Sequence, residues 1–248
     1  MHAEPSPAAP LVSQRVAGQT LDTLDDHSGD EGPGNAWLHV AGDDEYPGWV
    51  HRGYLTAGSR PAEPGTLVSL GCVVASGGGD SIQAQRALPL RALLAPGDSC
   101  VAGRTAAHGD LSRLFPVDPR AIAQSAQELF AGASYTWGGV TPWGADCSGF
   151  VQTVFALHGM PLPRDAWQQA GAGSDAGCDP DAAEPGDLLF FSEAADGRIT
   201  HVGIGLGGDS LVHVSLGRGG HAVDRLTATS DPYVSRLRKA FRFARRVV

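Results

Sequence analysis

The chain has 248 residues, 42% of them hydrophobic and 18% charged, with a formal net charge of -9. That length holds an enzyme-sized core plus small modules, and an acidic balance without a Lys/Arg-rich segment argues against nucleic acid or an anionic membrane as partner. A substrate carrying a cationic group suits it better. No apolar run approaches the roughly 18 residues of a membrane span, and the opening "MHAEPSPAAPLVSQ" lacks the basic and apolar pattern of a secretory leader. The sequence as written therefore predicts a cytoplasmic protein, and an upstream start carrying a leader would make it secreted or periplasmic.

In chain order, residues 1–57 contain the β-like runs "QTLDTL", "AWLHVAG" and "GWVHRGYL", broken by the Gly/Asp-rich turn "DDHSGDEGPGN". "AGSRPAEPG" reads as a linker. Residues 65–115 repeat the style with "TLVSLGCVVASGGG", "ALPLRALL" and "DSCVAGRTAAH", which predicts a second small β-module. A third unit follows over 116–248. Asp118 caps and Pro119 starts a helix whose Ile122, Ala126, Leu129 and Phe130 share one face.

Cys147 opens a second helix. Phe150, Val151, Val154, Phe155 and Leu157 recur at helical spacing after it, Asp146 stands in the N-cap position, and Gly159 with "MPLP" ends the run. A cysteine there meets unpaired backbone N–H groups and the positive end of the helix dipole, so the reading expects a stabilised thiolate and a ready oxyanion site. His201 opens "HVGIGLG" and His213 lies in "SLVHVSL", two β-rich runs joined by a hairpin turn at "GGDS". Reversal near Gly207 or Gly208 places the two histidines opposite or nearly opposite, with Cβ atoms roughly 4.5–5.5 Å apart. Cysteine, histidine and a second polar group form the set that nucleophilic acyl transfer requires.

The segments "YTWGG", "ADCSGFVQ", "LPRDAWQQ", "PGDLLFF", "THVGIGLG" and "LVHVS", in that order from about Pro116 to Val248, resemble the NlpC-type cell-wall cysteine peptidases. The resemblance implies an α+β, papain-like domain in which Cys147 is the nucleophile, His201 the general base and acid, and His213 the orienting residue. It gives the Tyr135 hydroxyl to the oxyanion and sets Trp137, Asp146, Ser148 and Asp165 around the substrate, the aspartates near a free amino group. Read on their own, Tyr135 and Trp137 fit a core equally well, the aspartates fit helix N-caps, and Ser148 a helix-start hydroxyl. Ala166 stands where the murein-peptide branch of the family often has serine. "GDDEYPGWVHRGYL" resembles the end of a bacterial SH3-like module, and residues 65–115 resemble a degenerate second one, so one or two small SH3-like β-barrels are expected before the peptidase domain. In that setting Tyr46 reaches toward the active site. Glu4 joins the substrate set by the same resemblance, in a first module that reads as though its first strand were missing.

The expected activity is hydrolysis of the γ-D-glutamyl–L-diamino acid bond (diaminopimelate or lysine type) in murein peptides with a free N-terminal L-Ala, during wall recycling. A secreted endopeptidase or amidase acting on polymeric wall is the alternative within the class, and a non-catalytic wall-binding protein the alternative outside it. No metal or cofactor is expected, and oligomeric state is left open. Cys72, Cys100, Cys147 and Cys178 are widely spaced and form neither a zinc pattern nor a disulfide framework. Gly203, Gly205 and Gly208 spell G-x-G-x-x-G, but the segment leads into a strand rather than a helix, so the glycines are assigned to a tight hairpin and close backbone approach.

Overall fold

The computed structural model of the chain describes residues 1–24, 36–58, 62–76 and 85–248. The Gly/Asp-rich turn at 25–35 and part of the 57–65 linker lie outside them. The chain divides into two compact units, Met1–Leu114 and Phe115–Val248.

The first unit holds two antiparallel three-stranded sheets. One has the order β1-β2-β3, from β1 (Asp22–Thr23), β2 (Trp37–Ala41) and β3 (Pro47–His51). The other has the order β5-β4-β6, from β4 (Leu67–Ser76), β5 (Gln85–Leu88) and β6 (Asp98–Ala107), and a one-turn helix α1 (Leu111–Leu114) ends the unit. Among the described residues neither sheet closes into a barrel, because three strands pair side by side without their edges meeting. The linker separates two sheets without separating two cores. Val16, from the first segment, packs on the cluster of Cys72, Val74, Leu88, Ala92 and Leu94, and the Leu93 N–H donates to the Ala17 carbonyl at 2.8 Å.

The second unit is built on a six-stranded antiparallel sheet. It contains α2 (Pro119–Leu129), a small hairpin of β7 (Val140–Thr141) and β8 (Gly144–Ala145), α3 (Cys147–Leu157), α4 (Ala166–Gln169) and β9 (Ser174–Gly177). After these come β10 (Leu188–Phe191), β11 (His201–Gly207), β12 (Ser210–Ser215), β13 (Gly220–Arg225), α5 (Pro232–Ala240) and β14 (Phe241–Arg246). The strand order is β13-β12-β11-β10-β14-β9. Helix α2 starts as its sequence dictates: Asp118 Oδ1 accepts from Ala121 N–H at 2.8 Å, and Pro119 follows at the first turn.

Helix α3 is buried on all sides, every residue except Ala156 being inside. Phe150 meets Phe130 edge to face at 5.1 Å, and each such buried side chain contributes about 1.5–3 kcal/mol. On the other face of the sheet, Leu189, Phe191 and Leu211 pack with Leu226, Leu237 and Ala240. This is the α+β arrangement that the papain-like resemblance implies, with one buried helix delivering its N-terminus to the sheet. Among the described residues no helix is long and apolar enough to cross a membrane, which says nothing of strands.

The approach of α3 to the preceding turn leaves no room at Gly149. A Cβ there would lie 2.1 Å from the Gly139 carbonyl oxygen, so the third residue of the helix must be glycine for the nucleophile turn to close. Gly149→Ala is expected to cost about 1–3 kcal/mol, read as a lowered Tm together with lost activity. An unchanged Tm contradicts this account of the turn.

Candidate active site

Cys147 is the first residue of α3, and Asp146 caps the helix: its Oδ1 accepts from Gly149 N–H at 2.7 Å. The same carboxylate carries more than a cap. Oδ2 accepts from Gly138 N–H at 2.9 Å and from Arg164 Nη2 at 2.6 Å, while Arg164 Nη1 donates to Oδ1 at 3.0 Å and to Ser148 Oγ at 3.0 Å. Ser148 Oγ in turn donates to Asp146 Oδ1 at 3.3 Å. Arg164 is only 1% exposed. It reaches this position because the segment after α3 returns beneath the helix start, held by Gln152 Nε2 donating to the Leu162 carbonyl (3.1 Å) and Gln169 Nε2 donating to those of Pro163 (2.8 Å) and Ser148 (3.0 Å).

Both oxygens of Asp146 are engaged by a bidentate guanidinium and two backbone N–H groups. The Ser148 hydroxyl belongs to the same network. Asp165 remains the carboxylate at the neighbouring helix start, where it forms a capping box with Gln168 and its Oδ2 accepts from Trp167 Nε1 at 3.2 Å. The Arg198 guanidinium lies over the Trp167 ring, 5.2 Å from its centroid. Ala166 is buried. Trp137 is 66% exposed, which excludes the core alternative for it.

Cys147, at the start of α3, has the backbone of Val202, at the start of β11, and of Ser148 in its surroundings. Its environment differs from the expected one. Burial, and next the Asp146 charge, push the thiol up to about 12, against the lowering effects of those backbone groups and Arg164. Burial of the site around Cys147, which is 8% exposed, thus works against the thiolate that the helix start favours. Burial, and next the neighbouring His213, hold His201 well below the ordinary histidine value, so burial disfavours the charged form of both groups. Tyr135, in contact electrostatically with Cys147, is pushed up to about 12, chiefly by burial. It keeps its proton and stays a donor. Its backbone is fixed by its N–H donating to the Gly219 carbonyl at 2.9 Å and by a bridge to Ala145.

His201 and His213 meet through Nε2 and Nδ1 at 2.9 Å, but not as directly opposed residues. The register pairs Ile204 with Val212 and Gly205 with Leu211, with an irregularity before Gly207↔Ser210. His201 therefore lies diagonally from His213, across Gly203. A Cβ on Gly203 would lie 3.2 Å from the His213 Cβ, so the glycine leaves the space through which the diagonal rings touch. The hairpin itself turns through Gly207 and Gly208, both at positive φ (107° and 61°).

Of three residues behind the histidines, Asp224 and Arg218 carry no local sequence signal, while Asp231 before Pro232 has that of a helix cap. His213 Nε2 is 3.0 Å from Asp224 Oδ2, Arg218 donates to both oxygens of Asp224 at 3.0 and 2.6 Å, and Arg218 Nη2 also donates to Asp231 at 2.7 Å. Burial alone would raise the Asp224 carboxyl, but hydrogen bonds from His213 and Arg218 bring it down to about 2. Arg164 was likewise unassigned from sequence, although a cation directly after the proline and apolar run "MPLP" gave a signal. Among the described residues no group of three or more His, Cys, Asp or Glu is placed to hold a metal ion. Tyr46 and Glu4 belong to the first unit. Tyr46 precedes β3, its N–H donating to Asp44 Oδ1 at 3.1 Å, and Glu4 is exposed in the opening segment.

Residues 132–240 match the NlpC/P60 family. The chain is 41% identical over 110 residues to the γ-D-glutamyl-L-lysine dipeptidyl-peptidase of Bacillus subtilis, an alignment that covers 44% of this chain and 36% of that protein. The like-named protein of Bacillus cereus is matched over 26% of its length, so the chain spans only part of these relatives. A probable endopeptidase of Haemophilus influenzae is 36% identical over 133 residues, covering 53% of this chain and 77% of its own length. The crystal structure of an NlpC/P60 family protein from Bacillus cereus aligns with 95% of this chain and 81% of that one, with a TM-score of 0.69 at 19% identity, a likeness of fold.

Burial lowers the proton affinity of three histidines in this unit: His201, His158 and His221. Unfolded, each takes a proton near pH 6.5. Below that value the unfolded chain binds more protons than the folded one, so stability is present above it and falls as the pH falls toward the lowered folded values. Each contributes a slope of up to about 1.4 kcal/mol per pH unit. Urea unfolding from about pH 8 to about pH 5 is expected to show this decline beginning near 6.5, and constant stability across the range contradicts it.

Proposed function

The chain belongs to the NlpC/P60 family, and on that premise we propose that it is a cysteine endopeptidase hydrolysing the γ-D-glutamyl–L-diamino acid bond of murein peptides with a free N-terminal L-Ala. One observation carries the catalytic part: a cysteine at the N-terminus of a buried helix beside a strand whose first residue, His201, is hydrogen-bonded to His213 at 2.9 Å. The name of the Bacillus subtilis relative supports the choice of bond.

In this reading His201 takes the thiol proton as Cys147 Sγ attacks the carbonyl carbon of the γ-linked amide. Attack separates charge, and the buried site makes each fixed donor more effective at that moment. The oxyanion is held by the Tyr135 hydroxyl and by N–H groups at the start of α3. His201 then gives its proton to the leaving amine of the diamino acid, a thioester forms on Cys147, and His201 deprotonates the water that releases L-Ala-γ-D-Glu, returning that proton to the departing Cys147 sulfur. Asp165, with Asp146 and Ser148, is assigned to the substrate's ammonium end, and the exposed Trp137 to the substrate. Tyr46 and Glu4 stand as further candidates on the family resemblance alone, as does the reading of residues 1–57 and 65–115 as SH3-like modules before a peptidase domain at 116–248. A cytoplasmic role in wall-peptide recycling completes the proposal.

The test is incubation with L-Ala-γ-D-Glu-diaminopimelate, its L-lysine counterpart, their N-acetylated forms and polymeric wall, with products read by mass spectrometry. A free tripeptide is expected to be cut on the C-terminal side of D-Glu, and Cys147→Ala to be inactive. Capping removes a charge whose loss costs about 3 kcal/mol, or roughly 10²-fold in kcat/KM. Equal turnover of capped and free peptide favours the secreted wall-hydrolase alternative, and binding without cleavage favours the wall-binding one.

A further inference from the structure

The geometry points to Asp224 as a positioning residue that sets the proton tautomer of both histidines, leaving His201 Nδ1 as the bare nitrogen available to the thiol. The inference rests on the cysteine-peptidase reading above and adds a residue to it.

The Asp224 carboxylate only accepts, and Arg218 only donates and is always charged. Asp224 Oδ2 accepts from Arg218 Nε and faces His213 Nε2, both at 3.0 Å, while Oδ1 accepts from Arg218 Nη2 at 2.6 Å. A carboxylate facing His213 Nε2 requires the hydrogen on that nitrogen. His213 is fully buried, and its neutral ring has one N–H hydrogen, which the facing carboxylate places on Nε2. Asp231, on the far side of Arg218, is engaged too: its Oδ1 accepts from Tyr233 N–H at 2.8 Å and Val234 N–H at 3.4 Å at the start of α5. His213 Nδ1 is therefore a lone pair.

The consequence passes to the next ring. His201 Nε2, 2.9 Å from that lone pair, must be the donor, so the hydrogen of a neutral His201 is on Nε2 and Nδ1 carries the lone pair that removes the thiol proton. Without the acceptor, His213 has no preference. If its proton moved to Nδ1 it would donate to His201 Nε2, push the His201 hydrogen onto Nδ1, and present an N–H to the sulfur where a base is needed. Strand register supplies the geometry: His213 pairs with Ala222, so Asp224 sits one diagonal step further along β13, and the chain His201, His213, Asp224 crosses three adjacent strands.

The experiment combines a spectroscopic readout with kinetics. In wild-type protein carrying ¹⁵N-labelled histidine, imidazole NMR at neutral pH is expected to show Nε2–H tautomers for both His201 and His213. Asp224→Asn keeps the shape but leaves one acceptor oxygen for three facing donors, Arg218 Nε, Arg218 Nη2 and His213 Nε2–H, so the His213 proton is expected to shift toward Nδ1. A fall in kcat of about 10²-fold or more is expected, with KM little changed. Asp224→Glu, still acceptor-only, is expected to restore part of the activity. An Nδ1–H tautomer for His201 in the wild type overturns the inference, as does a folded Asp224→Asn protein whose kcat is within about threefold of wild type. If Asp224→Asn fails to fold, the wild-type spectrum decides. That spectrum needs no substrate, so failure to cleave any murein peptide counts against the proposed activity and leaves the tautomer result to stand or fall separately.

Discussion

The buried pairing of Arg164 with Asp146 is the contact on which the site's geometry depends. One guanidinium, bidentate on one carboxylate, ties three pieces of chain together: the turn at Gly138, the first turn of α3, and the segment returning from that helix toward α4. A buried ion pair adds little net stability over a well-packed apolar alternative, because removing both charges from water costs as much as their attraction returns. Its contribution here is directional. The two parallel N–H···O bonds fix the plane of the carboxylate, the carboxylate fixes the helix start, and the helix start fixes Cys147.

A second consequence is electrostatic. Asp146 lies beside the nucleophile and raises its proton affinity, while Arg164 opposes that effect. The aspartate needed to build the turn would by itself work against a thiolate, and the arginine offsets it in the same network. With burial disfavouring both the thiolate and the imidazolium, proton transfer from sulfur puts the weight on the placement of His201. That placement comes from the sheet: strands β11, β12 and β13 present His201, His213 and Asp224 as successive diagonal steps.

Local patterns in the sequence carried the catalytic unit further than the modules. The helix over Cys147–Leu157 is marked by its apolar spacing, its Asp146 cap and its Gly159 stop, and the α2 start by Asp118 and Pro119, because caps and periodicity are written within a few residues. The histidine hairpin was legible to within a diagonal step. A turn irregularity at Gly207 shifted the register, which no local signal encodes. Arg164 with Asp146, and His213 with Asp224, are pairings through space between separate elements. A sequence shows the residues but not their meeting. Likewise the β-rich composition of the first unit indicated strands but not their assembly: Val16 crosses to the second sheet's core, and three-stranded sheets stand where barrels were expected.

The central claim is that Cys147 is acylated by the γ-glutamyl group of its substrate. Rapid acid quenching of enzyme with excess L-Ala-γ-D-Glu-diamino acid tripeptide, followed by intact-protein mass spectrometry and peptide mapping, measures that directly. The account predicts an L-Ala-γ-D-Glu acyl group on Cys147 and a matching burst of free diamino acid. Product formed with no adduct on Cys147, or with the adduct on Cys72, Cys100 or Cys178, would contradict it.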